Sequence, residues 1–266
     1  MTPTKTYLEK CQTLLHIVGQ QEAAIQQAAD WFTSSILAGR MVHLFGSGHS
    51  RIMVEEMWPR YGSFPGFHPI VELSLTFHNQ VVGANGQRQA MFLENVPGLA
   101  ARILRNFALD KQDCALVISS SGCNIVQIEM AEIFQQEGIK VVALISKTHS
   151  EASTSKRADG KKLSDFADLV LDTGAPIGDA MVYLPELETP VSPGSTLGGV
   201  AIVNSIKAEV AQRLTQAGQA PKVLTASVIL GAEKAAALFE SAYDEHGQRV
   251  AQLYAHPTKE KDHPIS

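Results

Sequence analysis

The sequence predicts an α/β fold built on a buried parallel sheet. Three observations carry that prediction. Residues 115–118 and 141–145 are unbroken apolar runs of strand length, as expected of a sheet covered on both faces. Such runs alternate along the chain with stretches of helical periodicity, the pattern of βαβ units. Two of the strand-like runs lead directly into turns rich in glycine and serine.

Each element follows from its residues. Residues 4–38 are helical in pattern, with Leu14, Leu15 and Val18, then Ala24, Ile25, Ala28 and Ala29, at helical spacing. Gly19 interrupts that pattern. Residues 41–45 form a short apolar run ending at Gly46, read as a buried strand. Residues 52–57 read as a helix stopped near Pro59. The stretch 61–90 is cut into pieces by Pro65, Gly66, Pro69, Gly83 and Gly86, with one strand expected at 69–73. Pro97, at a first helical position, opens a helix through about residue 107. Residues 114–118 are a strand, 125–137 a helix ended by Gly138, and 140–145 a strand. Residues 148–163 are polar and loop-like. A helical turn at 163–167 and a strand at 168–171 follow. Residues 176–194 form a connection punctuated by proline and glycine. Residues 195–217 are a helix closed by Gly218, and 227–254 are again helical.

The 266 residues are 45% apolar and 18% charged, a balance that permits a large core. A net charge of −5 argues against a general nucleic-acid binder, which carries a basic face. Cys11, Cys114 and Cys123 include no C-x-x-C pair, so free thiols in a reducing compartment are expected. The first residues are polar, unlike a secretory signal, and no apolar run is long enough to span a membrane. The expected location is the cytoplasm.

Ligands of open parallel sheets sit at the carboxyl ends of the strands. Two strand ends here share one chemistry: Gly46-Ser47-Gly48-His49-Ser50 and Ser119-Ser120-Ser121-Gly122-Cys123-Asn124, each running from strand into helix. Backbone N–H groups and the positive end of a helix dipole suit a phosphate there. Glycine admits close approach, and hydroxyls donate without net charge. Pro193-Gly194-Ser195-Thr196 opens a third helix in the same way. Serine and threonine at such places are also ordinary N-caps. Three such loops in one α/β domain favour an oxyanion ligand.

Other motifs are absent. Arg51 stands where a dinucleotide G-x-G-x-x-G needs a third small residue, and no P-loop occurs. No G-x-S-x-G elbow is present. His43, His68 and His78 show no metal-ligand spacing, and no His-Glu-x-x-His helix exists.

The two loops together resemble the phosphosugar loops of the sugar isomerase (SIS) family, nearest to the phosphoheptose isomerases and to SIS proteins close to them. The resemblance covers roughly residues 41–218, and the second loop is its more specific part. It implies a three-layer αβα sandwich with a five-stranded parallel sheet of flavodoxin-like order. Residues 1–40 would extend that single domain as N-terminal helices and 219–266 as a C-terminal helix and tail. It implies a phosphosugar held by Gly46, Ser47, Gly48, His49, Ser50, Ser119, Ser120, Ser121, Gly122, Asn124, Ser195 and Thr196. It implies a homodimer with the site near the interface, and no metal or organic cofactor.

In phosphoheptose isomerases the first loop leads to a Glu-Glu pair and then Arg-Tyr. Glu55, Glu56, Arg60 and Tyr61 match, and the catalytic base maps onto Glu56. Such a base moves a proton between neighbouring carbons through an enediol. Neighbouring residues of a helix point about 100° apart, so one of the two glutamates faces any site. One departure stands out. The isomerases carry a histidine on the helix after the third loop, and residues 197–207 here contain none. Asn204 or Ser205 falls nearest. His78 is the candidate substitute, with His49 behind it. The function expected is a sugar-phosphate isomerase, with a non-catalytic phosphosugar sensor or a phosphosugar lyase as alternatives.

Overall fold

The computed structural model describes residues 1–76 and 87–255. Two helices open the chain, α1 (Pro3–Gly19) and α2 (Glu22–Leu37), so the periodic stretch breaks just after Gly19. Thr2 caps α1 by accepting from the Lys5 N–H, and Pro3 stands in the first turn, where a missing N–H costs nothing.

The central layer is a five-stranded sheet. Its strands are β1 (Val42–Gly46), β2 (Phe67–Ile70), β3 (Cys114–Ile118), β4 (Lys140–Ile145) and β5 (Leu169–Asp172). Their order is β2-β1-β3-β4-β5 and every pairing is parallel. This is the flavodoxin-like order, whose direction reverses between β1 and β3. Residues alternate between two cores. Val42, Leu44, Leu116, Val142 and Leu144 pack with α1 and α2, with α3 (Arg51–Met57) and with α8 (Ser195–Gln216). Phe45, Ala115, Val117, Val141 and Ala143 face α5 (Leu99–Leu104) and α6 (Ile125–Gln136). A strand buried on both faces has no polar position to spare, which is why β3 and β4 read as continuous apolar runs.

Several expectations are corrected. The strand expected at 69–73 lies at Phe67–Ile70, and Leu73–Leu75 form a 3-10 turn. Pro69 sits inside β2 because β2 is an edge strand, where one N–H is not needed for a ladder. Pro97 precedes its helix by two residues. Gly98 caps that helix at φ 81° and gives its N–H to Glu129. A helix α4 (Gln87–Leu93) lies upstream in the fragmented stretch. The polar loop expected at 148–163 begins with α7 (Lys147–Ala152), started by the Ser146 hydroxyl accepting from the His149 N–H. The connection at 176–194 contains an antiparallel hairpin, β6 (Ala180–Val182) with β7 (Val191–Pro193). It packs on α1, where the Tyr7 hydroxyl donates to the Pro193 carbonyl at 3.2 Å. Gly231, at φ 81°, divides the last helical stretch into α9 (Ser227–Leu230) and α10 (Ala232–Tyr254).

A charged and aromatic network closes the amino end of the sheet. Register places His43 of β1 beside His68 of β2, with their Nδ1 atoms 2.9 Å apart. His43 Nε2 lies 3.2 Å from Asp113, which takes a bidentate fork from Arg40. His43 stacks on Phe134, and Phe107 meets His68 edge-on. Burial first, then the neighbouring His43 and His246, push His68 down to about 3 against the pull of Asp113.

The sign for stability follows from that direction. An unfolded histidine titrates near 6.5, so below that pH the unfolded chain binds a proton that the fold refuses. Stability is complete above that pH and is lost as pH falls, by about 2 kcal/mol at pH 5 from this group alone. Urea midpoints should fall from pH 8 to pH 5 in the wild type and fall less in His68→Gln. Equal slopes in the two proteins would remove His68 as the cause.

Candidate functional site

The carboxyl ends of β1 and β3 flank the reversal of strand order, and each turns into a helix on an opposite face of the sheet. After β1 the chain folds tightly back. A Cβ on Gly46 would meet the Ser50 carbonyl oxygen at 2.8 Å, so the turn requires glycine. Gly48 takes φ 55° and a 3-10 turn, Gly48–Ser50, leads into α3. Ser47 is buried, and His49 is exposed.

The β3 loop is pinned by its own backbone. Ser119 N–H bonds to the Leu144 carbonyl, Ser146 N–H to the Ser120 carbonyl and Leu163 N–H to the Gly122 carbonyl. Gly122 stands at φ 63°. Ser119 Oγ accepts from the Gly122 N–H at 3.1 Å and Ser121 Oγ from the Cys123 N–H at 3.3 Å. A hydroxyl that accepts an N–H keeps its own proton to donate. Ser120 Oγ is buried with no hydrogen-bond partner among the described residues.

Glu94, directly after α4, joins the two loops. One carboxylate oxygen accepts from Ser47 Oγ at 2.5 Å, and the other accepts from Asn124 Nδ2 at 2.8 Å. Gln127 Nε2 reaches both Glu94, at 3.3 Å, and Ser47. The Glu94 carbonyl accepts the Val126 N–H of the first turn of α6. Burial raises the carboxyl above its ordinary range, and the hydrogen bonds from Ser47 and Gln127 only partly offset this. Gln127 Oε1 is buried without a partner among the described residues.

Glu56 occupies different surroundings. It lies six residues past Ser50 along α3, about 9 Å of helix rise. Its carboxylate accepts from Asn204 Nδ2 at 2.8 Å and from Arg60. Lys207 donates to the Glu56 carbonyl at 2.8 Å and to Ser63 at 3.1 Å. Burial pushes the Glu56 carboxyl up, but those two bonds and the charges of Arg60 and Lys207 outweigh it, so it titrates below its usual value. Glu56 lines an open groove of about 510 Å³ with Glu55, Arg60, Tyr61, Phe239 and Tyr243, and no residue of the two serine loops lines it. Glu55 is the more exposed glutamate and pairs with Arg51 at 3.3 Å.

The third loop has an internal occupant. Asp179, at φ 72°, accepts from the Gly194 and Ser195 N–H groups at 3.1 and 2.7 Å and from Ser195 Oγ at 2.8 Å. The first turn of α8, which also holds Thr196, is therefore capped by a carboxylate of the chain itself. His78 lies outside the described residues. No group of three or more His, Cys, Asp or Glu among the described residues is placed to hold a metal ion, and none of their helices is long and apolar enough to cross a membrane.

Sequence reasoning missed Glu94 and Gln127. Gln127 left a signal, since it is the one polar residue in Ile125-Val126-Gln127-Ile128 and sits three residues past Asn124, on the same face of α6. Glu94 ends an apolar run, Ala90-Met91-Phe92-Leu93, and nothing nearby tells its partners.

A model of the SIS domain matches residues 6–146. A UPF0309 protein of Halalkalibacterium halodurans is 31% identical over 86% of this chain and 94% of its own. A UPF0309 protein of Listeria innocua is 30% identical over 91% of each chain. A solved phosphoheptose isomerase from Francisella tularensis, 16% identical, superposes with a TM-score of 0.50 over 80% of this chain and 100% of its own.

Proposed function

The chain belongs to the SIS-domain family, and from that premise we propose that it binds a phosphorylated sugar where β1 and β3 end, and that it moves a proton on that sugar as an aldose–ketose isomerase does. The observation that carries the reading is the β3 loop. Two of its three consecutive serines keep a donatable proton and the third is buried without a partner. Three neutral donors beside the start of α6 suit a phosphate, because the helix end supplies further N–H groups and positive potential. The 46–50 loop, at the start of α3, faces it across the reversal of strand order. The Gly194 and Ser195 N–H groups at the α8 start already donate to Asp179, which favours a phosphate held by the first two loops.

A second reading has one observation in its favour. Asn204 stands on α8 at the place nearest the histidine of phosphoheptose isomerases, and it contacts Glu56 directly. An amide is no general acid or base at neutral pH, so Asn204 cannot take over the proton transfer of that histidine, which favours a site that binds without turnover.

A thermal-shift panel of sugar phosphates, matched free sugars and inorganic phosphate tests the site. A ligand at 100 times its Kd adds about 2.7 kcal/mol. For a chain of this size that is a rise of roughly 5–10 °C in Tm. The expected result is a sugar phosphate that stabilises where its free sugar does not. Equal responses to both members of every pair would remove the phosphosugar reading. Binding without any turnover would select the second reading.

A further inference from the structure

We propose that Glu94 is the group that carries the proton between the carbons of the bound sugar, the role that the resemblance to phosphoheptose isomerases gives to Glu56. The inference rests on the phosphosugar reading and names the residue that performs its chemistry.

Position argues first. Glu94 touches both loops at the reversal of strand order, through Ser47 on one side and Asn124 on the other. Asn124 belongs to the same loop as the serines of residues 119–121, so a phosphate held there lies in the loop that this carboxylate contacts. Glu56 lies along α3 from the same loops, in a groove that none of their residues lines. Two orphaned atoms support the placement independently. Among the described residues, Ser120 Oγ is a buried hydroxyl without a partner, and Gln127 Oε1 is a buried acceptor without one, on the very side chain that contacts Glu94 and Ser47. An unsatisfied buried polar atom costs stability unless something fills its place, and a polyol supplies both a hydroxyl donor and an acceptor.

Basicity argues next. Among the described residues, the side-chain hydrogen-bond partners of Glu94 come from the β1 loop, the start of α6 and the first turn of α6, and all are uncharged: Ser47, Asn124 and Gln127. Burial leaves its carboxyl above the usual range. Against its burial, the Glu56 carboxylate accepts from Asn204 and Arg60 and feels the charges of Arg60 and Lys207, so it titrates below that range, which makes it the weaker base. A phosphate dianion bound nearby pushes Glu94 further in the same direction.

The step balances within the substrate. The Glu94 carboxylate takes the proton from the carbon beside the carbonyl. The C–H electron pair becomes the C=C of an enediolate, and the carbonyl π pair moves onto oxygen. The hydroxyl proton passes between the two neighbouring oxygens. The carboxyl then returns its proton to the former carbonyl carbon. No oxidant, reductant or second reactant is consumed.

The test uses the full chain in D2O with a panel of aldose and ketose phosphates of five to seven carbons, reading deuterium at the carbon beside the carbonyl by NMR and binding by thermal shift. Glu94→Gln keeps the shape and one of the two acceptor oxygens but cannot hold the proton. It should lower exchange by about 10²–10⁴-fold while the sugar-phosphate thermal shift persists. Glu94→Asp should retain part of the exchange and move the acid limb of its pH profile to lower pH, a change that a merely structural carboxylate would not produce. Glu56→Gln should cost less than Glu94→Gln. Exchange that survives Glu94→Gln within tenfold, or that Glu56→Gln abolishes instead, overturns the inference and leaves the phosphosugar reading standing. A wild-type protein that binds a sugar phosphate yet exchanges no carbon-bound proton overturns it as well. A wild type that binds none of the panel fails earlier, at the phosphosugar reading.

Discussion

Asp113→Asn is expected to destabilise the protein by about 3–5 kcal/mol, the usual cost of breaking a buried ion pair from one side. The Asp113 side chain is fully buried. It accepts Arg40 Nε and Nη2, each at 2.8 Å, and the Asp110 N–H at 2.8 Å, and lies 3.2 Å from His43 Nε2. Burial pushes its carboxyl up, but the bonds from His43 and Arg40 dominate and hold it below the normal carboxylate range. Its contribution is therefore complete above about pH 4, where the unfolded carboxyl is already ionised, and is lost as pH falls below that. The acid limb of stability then has two stages, with His68 acting first and Asp113 after it. An asparagine keeps the volume but leaves the Arg40 guanidinium without an anion. Urea denaturation at pH 7 measures the loss, and a change under about 1 kcal/mol would show that Arg40 finds compensation elsewhere. Because Asp113 closes the amino end of the sheet, opposite the serine loops, ligand affinity should be unchanged.

The contrast between that network and the serine loops shows what the amino-acid order can reveal. The β3 and β4 strands were legible because burial on both faces writes itself as an unbroken apolar run. The loops after β1 and β3 were legible because a chain turning sharply at a strand end needs glycine there, and short hydroxyl side chains follow from the helix start. Pro69 resembles a strand boundary in the sequence, yet it is tolerated inside β2 because β2 is an edge strand. Lys147-Thr148-His149-Ser150 has no apolar period to mark α7, and the helix owes its start to one cap and to its contact with the loop it packs on. His43 and His68 gave no spacing signal because their pairing is a matter of strand register across 25 residues. Glu94 meets Asn124 only through the crossover that brings α4 against α6, a contact across 30 residues that no local pattern encodes. The residues themselves pointed to the loops and the family resemblance added Glu56, yet neither supplied the carboxylate that bridges the loops.

Among the described glycines, Gly198 leaves the least room for a methyl, so Gly198→Ala should be strongly disruptive, and its neighbour provides the control. Gly198 is helical, with no left-handed φ to protect, so helix propensity alone predicts a gain of about 1 kcal/mol from alanine. Packing predicts the reverse. A Cβ at this position would lie 2.0 Å from the Thr173 carbonyl oxygen and 2.9 Å from the carbonyl carbon, and both are backbone atoms that no rotamer change can move. The start of α8 must lift from the end of β5. That motion drags Ser195 from Asp179, and it disturbs the helix that carries Asn204 and Lys207 to Glu56. Overpacking against backbone costs about 3 kcal/mol or more, beyond the propensity gain. The corresponding fall in Tm is roughly 6–12 °C for a chain of this size. At Gly199 the nearest atoms to an added Cβ are Cγ and Sδ of Met53, at 3.0 and 3.1 Å, on a flexible thioether side chain that can shift. Gly199→Ala should therefore stay within about 1 kcal/mol of the wild type. Equal losses in the two variants would trace the effect to the helix as a whole, and a stabilised Gly198→Ala would mean that α8 does not approach β5 as closely as Thr173 requires. A large loss confined to Gly198 would instead locate the constraint at one backbone contact, the one that sets where α8 begins and so how far Asn204 reaches.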